Sequence, residues 1–268
     1  MTSVLAYHKV DDRFEFGLTN VRPQLFRKHV EAMVAQGCRV IPDLEPSDSG
    51  KNVCLTFDDG YDCFHRNVAP MLSSLRVTAS VFVIADFIGK TNSWDIKLSY
   101  KPFRHMNAEQ IREVAAMGFE VGSHSCTHRD LTRLSPGEMK KELEDSKRFL
   151  EDLIGVEVDA FSFPFGRYDR ATVETAFAAG YRRLFGLGSS SSDGVVARMP
   201  VYRFDSPSAV LRKLDFGKME VLKSDFIHSF ANISALLSVR GSRPRSPGAA
   251  FVPVSGQGND SRRGHTTA

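Results

Sequence analysis

Short, unbroken apolar runs alternate with amphipathic segments along most of this chain. The clearest run is Val53-Cys54-Leu55-Thr56-Phe57, bounded by Asn52 and Gly60 and too short for a helix, which predicts a fully buried strand. Comparable signals predict strands over residues 3–7, 39–41, 78–84, 119–122, 160–163, 181–187 and 198–202. Helical spacing is clear over 23–36, where Leu25, Phe26, Val30, Met33 and Val34 share a face between an early Pro23 and a closing Gly37. Helices are also predicted over 67–75, 108–117 and 170–179. Another runs from a capping box at Ser135-Pro136-Gly137-Glu138 to about 154. The stretch after 202 reads as helical to 239.

Strand and helix in alternation imply parallel strands joined by crossover helices. About seven such repeats predict an α/β fold, a distorted (β/α)7-type barrel rather than an open sheet. His8, Asp58, Asp59, His124 and Pro164 all fall just past predicted strand C-termini. That is the face on which such barrels carry their active sites. Residues 86–107 interrupt the alternation and hold the only tryptophan, Trp94, which suggests a packed loop facing substrate. Residues 1–239 are read as one catalytic domain. Residues 240–268, rich in Gly, Ser, Pro and Arg, carry too little apolar surface to fold and are expected to be a disordered basic tail.

Composition narrows the function. The chain has 268 residues, 42% hydrophobic and 25% charged, which is ordinary for a water-soluble domain. Its net charge of +3 is concentrated in the tail, and a near-neutral body argues against a nucleic-acid partner. Neither GxGxxG nor GxxxxGK[ST] follows any strand. Cys38, Cys54, Cys63 and Cys126 show no paired spacing and are read as reduced thiols. No run approaches the roughly 20 apolar residues of an integral membrane span, and no leader is visible, so a cytoplasmic location is expected.

Candidate chemistry starts with Asp58 and Asp59. Two adjacent carboxylates at the mouth of a buried strand resist ionising together unless a cation is near. Further along, Gly122-Ser123-His124-Ser125-Cys126-Thr127-His128 follows another strand with two histidines four apart. Two imidazoles and one carboxylate make a three-ligand site with positions left for water and substrate, the pattern of a catalytic rather than a structural zinc.

The pairing of Thr56-Phe57-Asp58-Asp59-Gly60 with the SHxxxH segment, followed by Phe163-Pro164-Phe165-Gly166, resembles the polysaccharide deacetylase family (carbohydrate esterase family 4, the NodB-homology fold). Tyr7-His8 and the FIGKTNSWD loop are similar to its permuted subgroup, which includes poly-N-acetylglucosamine deacetylases. The resemblance covers roughly residues 4–202. It implies a metal-dependent hydrolase that removes N-acetyl groups from an N-acetylhexosamine-containing glycan or glycoconjugate. By position, Asp58 is the general base, Asp59, His124 and His128 are the metal ligands, the Phe165 backbone N–H is an oxyanion donor, and His8 is the general acid, with His228 as the weaker candidate. The ion is expected to be zinc, although cobalt or nickel suits the same ligands. Pro164, Trp94, Asp95 and Arg198 are candidate substrate contacts. The family's third motif usually opens with an arginine that tunes the base; Phe161-Ser162 stands there instead, and Arg198 is the proposed substitute. Two other readings stay open: an amidase of the same fold acting on a ureide or cyclic imide, and an inactive glycan-binding module.

Overall fold

The structure, a computed structural model, describes residues 2–41, 51–92, 102–188, 191–217 and 220–222. In chain order the strands are β1 (Thr2–Tyr7), β2 (Lys9–Val10), β3 (Asn20–Val21), β4 (Arg39–Val40), β5 (Asn52–Phe57), β6 (Ser80–Val83), β7 (Glu120–Ser123), β8 (Ala160–Ser162), β9 (Arg183–Leu187) and β10 (Val195–Pro200). The helices are α1 (Pro23–Ala35), α2 (Ala69–Ser74), α3 (Ala108–Ala116), α4 (Pro136–Ile154), α5 (Arg170–Ala178) and α6 (Pro207–Leu214).

Seven parallel strands close into a barrel in the order β1-β5-β6-β7-β8-β9-β10, with β1 paired on one side to β5 and on the other to β10. The closure is uneven. β4 pairs with the start of β5, at Asn52 and Val53, while β6 pairs only with its end, at Thr56 and Phe57. Alternate side chains fill the barrel in layers. Glu120 meets Arg183 and Ser80 at the N-terminal end. Val4, Cys54, Phe82, Ala160 and Phe185 form the middle layer. The opposite strand faces, including Leu5, Leu55, Val81, Val121 and Phe161, pack under helix residues such as Phe26, Ile111 and Leu143 in the main core. Gly122 makes room for the central ring, because a Cβ there would lie 2.5 Å from Phe82.

The capping box over Ser135 and Glu138 is present and opens α4 as expected. Three predictions need correction. The last strand begins at Val195 and not 198, so Arg198 sits inside it. A π-helical turn, Phe64–Val68, precedes α2, so that helical segment starts before 67. Between His8 and α1, where the sequence signals predict no strand, lies the short parallel pair β2–β3. Trp94, Asp95, His228 and residues 240–268 lie outside the described residues. Among the described residues no helix is long and apolar enough to cross a membrane.

Candidate active site

At the C-terminal end of β5 the backbone turns through Asp59 (φ 71°) and Gly60 (φ 63°), both left-handed. At Gly60 a side chain would also press on Val83 at 3.2 Å, so this turn requires glycine. Asp59 holds its conformation because Nδ1 of His105 donates to its carbonyl oxygen at 2.7 Å, with the His105 ring stacked on Tyr61. His124 follows β7, and the chain then turns through Ser125 (φ 66°) and His128 (φ 59°) to aim both rings at Asp59. Phe165, after β8, is also left-handed at φ 59°. Of the seven non-glycine residues with positive φ among the described residues, these four surround one spot. Each such conformation costs on the order of 1 kcal/mol and persists only where neighbours enforce it.

Glu142, buried on α4, does much of that enforcing. One of its carboxylate oxygens accepts from the backbone N–H groups of Cys126 and Thr127, both at 2.9 Å. The other accepts from the Thr127 hydroxyl and from Arg129. Ser125 Oγ accepts from the His128 N–H at 3.0 Å.

Nε2 of His124 and of His128 lie 3.6 and 3.5 Å from Oδ1 of Asp59. These separations exceed hydrogen-bond length. They match the roughly 3.4 Å edge between ligands that each stand about 2.1 Å from a shared ion. The three ligand atoms lie within 4.8 Å of one another, and all three residues are buried. Nδ1 of His124 donates to the Ser162 carbonyl at 2.7 Å, so its Nε2 is left with the lone pair a metal needs. Burial lowers the pKa of His124, and still more that of His128, which favours the neutral ligand form. The donor set therefore fits a divalent cation.

Asp58 stands apart from that trio and engages Arg198. The guanidinium is fully buried and bonds both carboxylate oxygens at 2.8 Å. Its remaining N–H groups go to Thr56 Oγ1 at 3.0 Å, Ser162 Oγ at 2.7 Å and the Gly186 carbonyl at 3.3 Å. All five donors are used, so Arg198 has none for a sugar and is a partner of Asp58, not a substrate contact. Burial alone would raise the Asp58 pKa; the Arg198 charge, together with its hydrogen bonds, outweighs it and holds the carboxyl well below the usual carboxylate range. Ser162, standing near the expected arginine position, receives the guanidinium that arrives from β10.

His8 is half-buried, its Nδ1 shielded and without a hydrogen-bond partner. Burial pushes it down to about 4, against the pull of the Asp58 charge. Pro164 is buried and presents little surface for a ligand, and the Phe165 ring packs edge-on against His128 at 4.6 Å. Sequence reasoning gave neither Glu142 nor His105 a part in the site. A signal for Glu142 was available, since it lies on the stripe of Met139, Leu143, Ser146 and Leu150 that α4 buries.

A parallel barrel with a two-histidine, one-carboxylate cation site at its C-terminal mouth defines a class of metal-site proteins. Within that class the chain belongs to the polysaccharide deacetylase family, whose defining pattern matches residues 45–184, over half of its length. YxkH of Bacillus subtilis (strain 168), a protein with the polysaccharide deacetylase name, is 26% identical over 203 residues, 73% of this chain and 66% of that protein. A chitooligosaccharide deacetylase of Bradyrhizobium sp. (strain ANU 289) is 29% identical over 132 residues, 48% of this chain and 53% of that one. The chain thus spans less than two-thirds of the length of these curated relatives. Among solved structures, the Streptococcus pyogenes deacetylase PplD in complex with acetate superposes with a TM-score of 0.69 at 22% identity, covering 80% of this chain and 97% of that one. IcaB from Ammonifex degensii gives 0.67 at 22% identity, covering 81% and 97%. At these identities the superpositions establish the fold.

Proposed function

We propose that this chain is a metal-dependent carbohydrate N-deacetylase, hydrolysing the amide of an N-acetylhexosamine in a glycan or glycoconjugate. The observation that carries this reading is the division of labour between neighbouring carboxylates: Asp59 faces His124 and His128, while Asp58 is held ionised by Arg198. The relatives' names and family membership support the carbohydrate substrate.

Asp59, His124 and His128 would hold the ion, with zinc the first choice for two imidazoles and a carboxylate. When bound there, it supplies Lewis acidity toward the acetyl carbonyl and makes water easier to deprotonate. Asp58, ionised and fixed by two hydrogen bonds, accepts the proton from the attacking water. Backbone N–H groups around Phe165 are the protein's donors to the oxyanion of the tetrahedral intermediate. His8 acts as the general acid on the leaving nitrogen. It is neutral in the free protein near pH 7, so it first takes up the proton that Asp58 removes from water.

The test is acetate release from chitooligosaccharides, poly-N-acetylglucosamine, lipid-linked N-acetyl sugars and ureides, with and without chelator. Chelator-sensitive release from an N-acetyl sugar is expected. Turnover of a ureide alone, or full activity in Asp58→Asn, would overturn the assignment.

A further inference from the structure

β7 and β8 lead into two halves of the candidate site, yet they are weakly joined. β7 is in register with β6 at four positions and β8 with β9 at three. Among the described residues β7 meets β8 at one, Ser123 with Phe161. Ladder hydrogen bonds therefore do little to set the distance between the loops that follow. The first loop, 124–130, holds the metal-ligand histidines. The second, 163–167, holds Phe165, whose backbone N–H the proposed reaction uses.

Side chains span the gap instead. The His124 ring reaches the Ser162 carbonyl and the Phe165 ring packs on His128. A third tie lies further out. The Asp130 side chain is 11% exposed, and its Oδ2 accepts from Nη1 of Arg167 at 2.8 Å. Nε of Arg133 approaches the same oxygen at 3.4 Å. The other oxygen, Oδ1, accepts from Thr132 N at 3.2 Å and from Thr132 Oγ1 at 2.7 Å, which fixes the carboxylate's orientation toward Arg167. Next to it, Arg129 binds Glu138 and Glu142 of α4, both at 3.1 Å, so Asp130 stands on an anchored base. Arg167 closes a tight turn, in which Gly166 N donates to the Phe163 carbonyl at 2.9 Å and Arg167 N to the Pro164 carbonyl at 3.2 Å. A side chain at Gly166 would meet Leu187 at 2.6 Å, so this turn is pressed onto β9. A pull on Arg167 therefore reaches Phe165 through one rigid turn.

A partly exposed ion pair adds little to global stability. Its place between two loops matters more, since a shift of about 1 Å at reacting groups can cost about 100-fold in rate. We propose that Asp130 and Arg167 are a positioning pair, holding the Phe165 N–H at the distance from the cation site at which it meets the oxyanion. The pair acts through the two loops and takes no part in proton transfer or metal binding. The proposal rests on the deacetylase reading above.

The experiment compares zinc-loaded wild type with Asp130→Asn, Arg167→Gln and the double variant, measuring acetate release from chitooligosaccharides and zinc affinity by competition titration. Asparagine at 130 keeps the oxygen that caps Thr132 and removes the charge facing Arg167. Each single variant is expected to lower kcat about tenfold, with KM and zinc affinity within about twofold of wild type. The double variant should lose no more than either single one, because both remove the same tie. An unchanged kcat in either single variant, or losses that multiply in the double, overturns the pair. So does a loss carried by KM in Arg167→Gln alone, which makes Arg167 a substrate contact. Weaker zinc binding in Asp130→Asn overturns it too, and makes Asp130 a support of the metal loop. If wild type releases no acetate from any N-acetyl sugar, the deacetylase reading fails, and the Phe165 amide resonance of isotope-labelled protein decides the tie. The pair stands if that resonance moves alike in both single variants, and falls if it stays in place or moves in one.

Discussion

Asp58 and Asp59 are chemically identical neighbours sent into different work by their surroundings. Asp59 faces two neutral imidazoles, and Asp58 faces a guanidinium whose other hydrogen-bond partners are uncharged. Asp58→Asn is therefore expected to lower kcat by about 10²–10⁴-fold while metal content, read by elemental analysis, stays near one per chain. The same substitution leaves the Arg198 charge buried without its counter-ion, so chemical denaturation should show a loss of about 3–5 kcal/mol. Buried histidines set the acid limit of the fold. His105 is held down to about 4 and His29 is also lowered, in both cases by burial first. Below the ordinary histidine value near 6.5 the unfolded chain takes up protons that these folded rings refuse, so stability is complete above about 6.5 and is lost as pH falls toward 4. For His105 alone the loss by pH 5 is about 2 kcal/mol. Thermal melts at pH 7.5 and pH 5 in chelator should show it, and His105→Gln should flatten the difference.

At the scale of elements, α4 is as much a clamp as a layer of core. Glu142→Gln keeps the size of the side chain but turns one acceptor oxygen into a donor facing backbone N–H groups. Its expected result is a metal affinity weakened about 10–100-fold with the fold retained, checked by competition titration against a chromophoric chelator and by circular dichroism. The elements themselves were legible where residues of one character ran together. Val53 to Phe57 stands out because both faces of β5 are buried, and the α4 start stands out because its cap is local chemistry. β10 was misplaced because Arg198 breaks the run Val195-Val196-Ala197-Arg198-Met199-Pro200, and a charge inside a strand looks like a strand boundary. Only the closed barrel brings Asp58, Thr56 and Ser162 to that guanidinium from β5 and β8. His105 and Glu142 were obscured for the same reason: their partners lie 46 residues away for His105 and 15 or 16 for Glu142, on other elements. The metal trio was readable because its spacing is carried by two short segments.

For the whole molecule, the cation site ties the ends of β5 and β7 across the barrel mouth, and a ligand that binds only the folded state raises its stability. Zinc at a hundred times its dissociation constant should add about 2.7 kcal/mol, seen as a higher Tm that a chelator reverses and that His128→Ala lacks. Barrel closure has a consequence of its own. β1 finds one neighbour, β5, about fifty positions later, but the other, β10, only after nearly two hundred. While the chain is being synthesised, a nascent sheet reaching Leu187 keeps two raw edges, and such edges invite pairing with other chains. The barrel closes only once Val195–Pro200 has emerged to cover both edges at once, between β1 and β9.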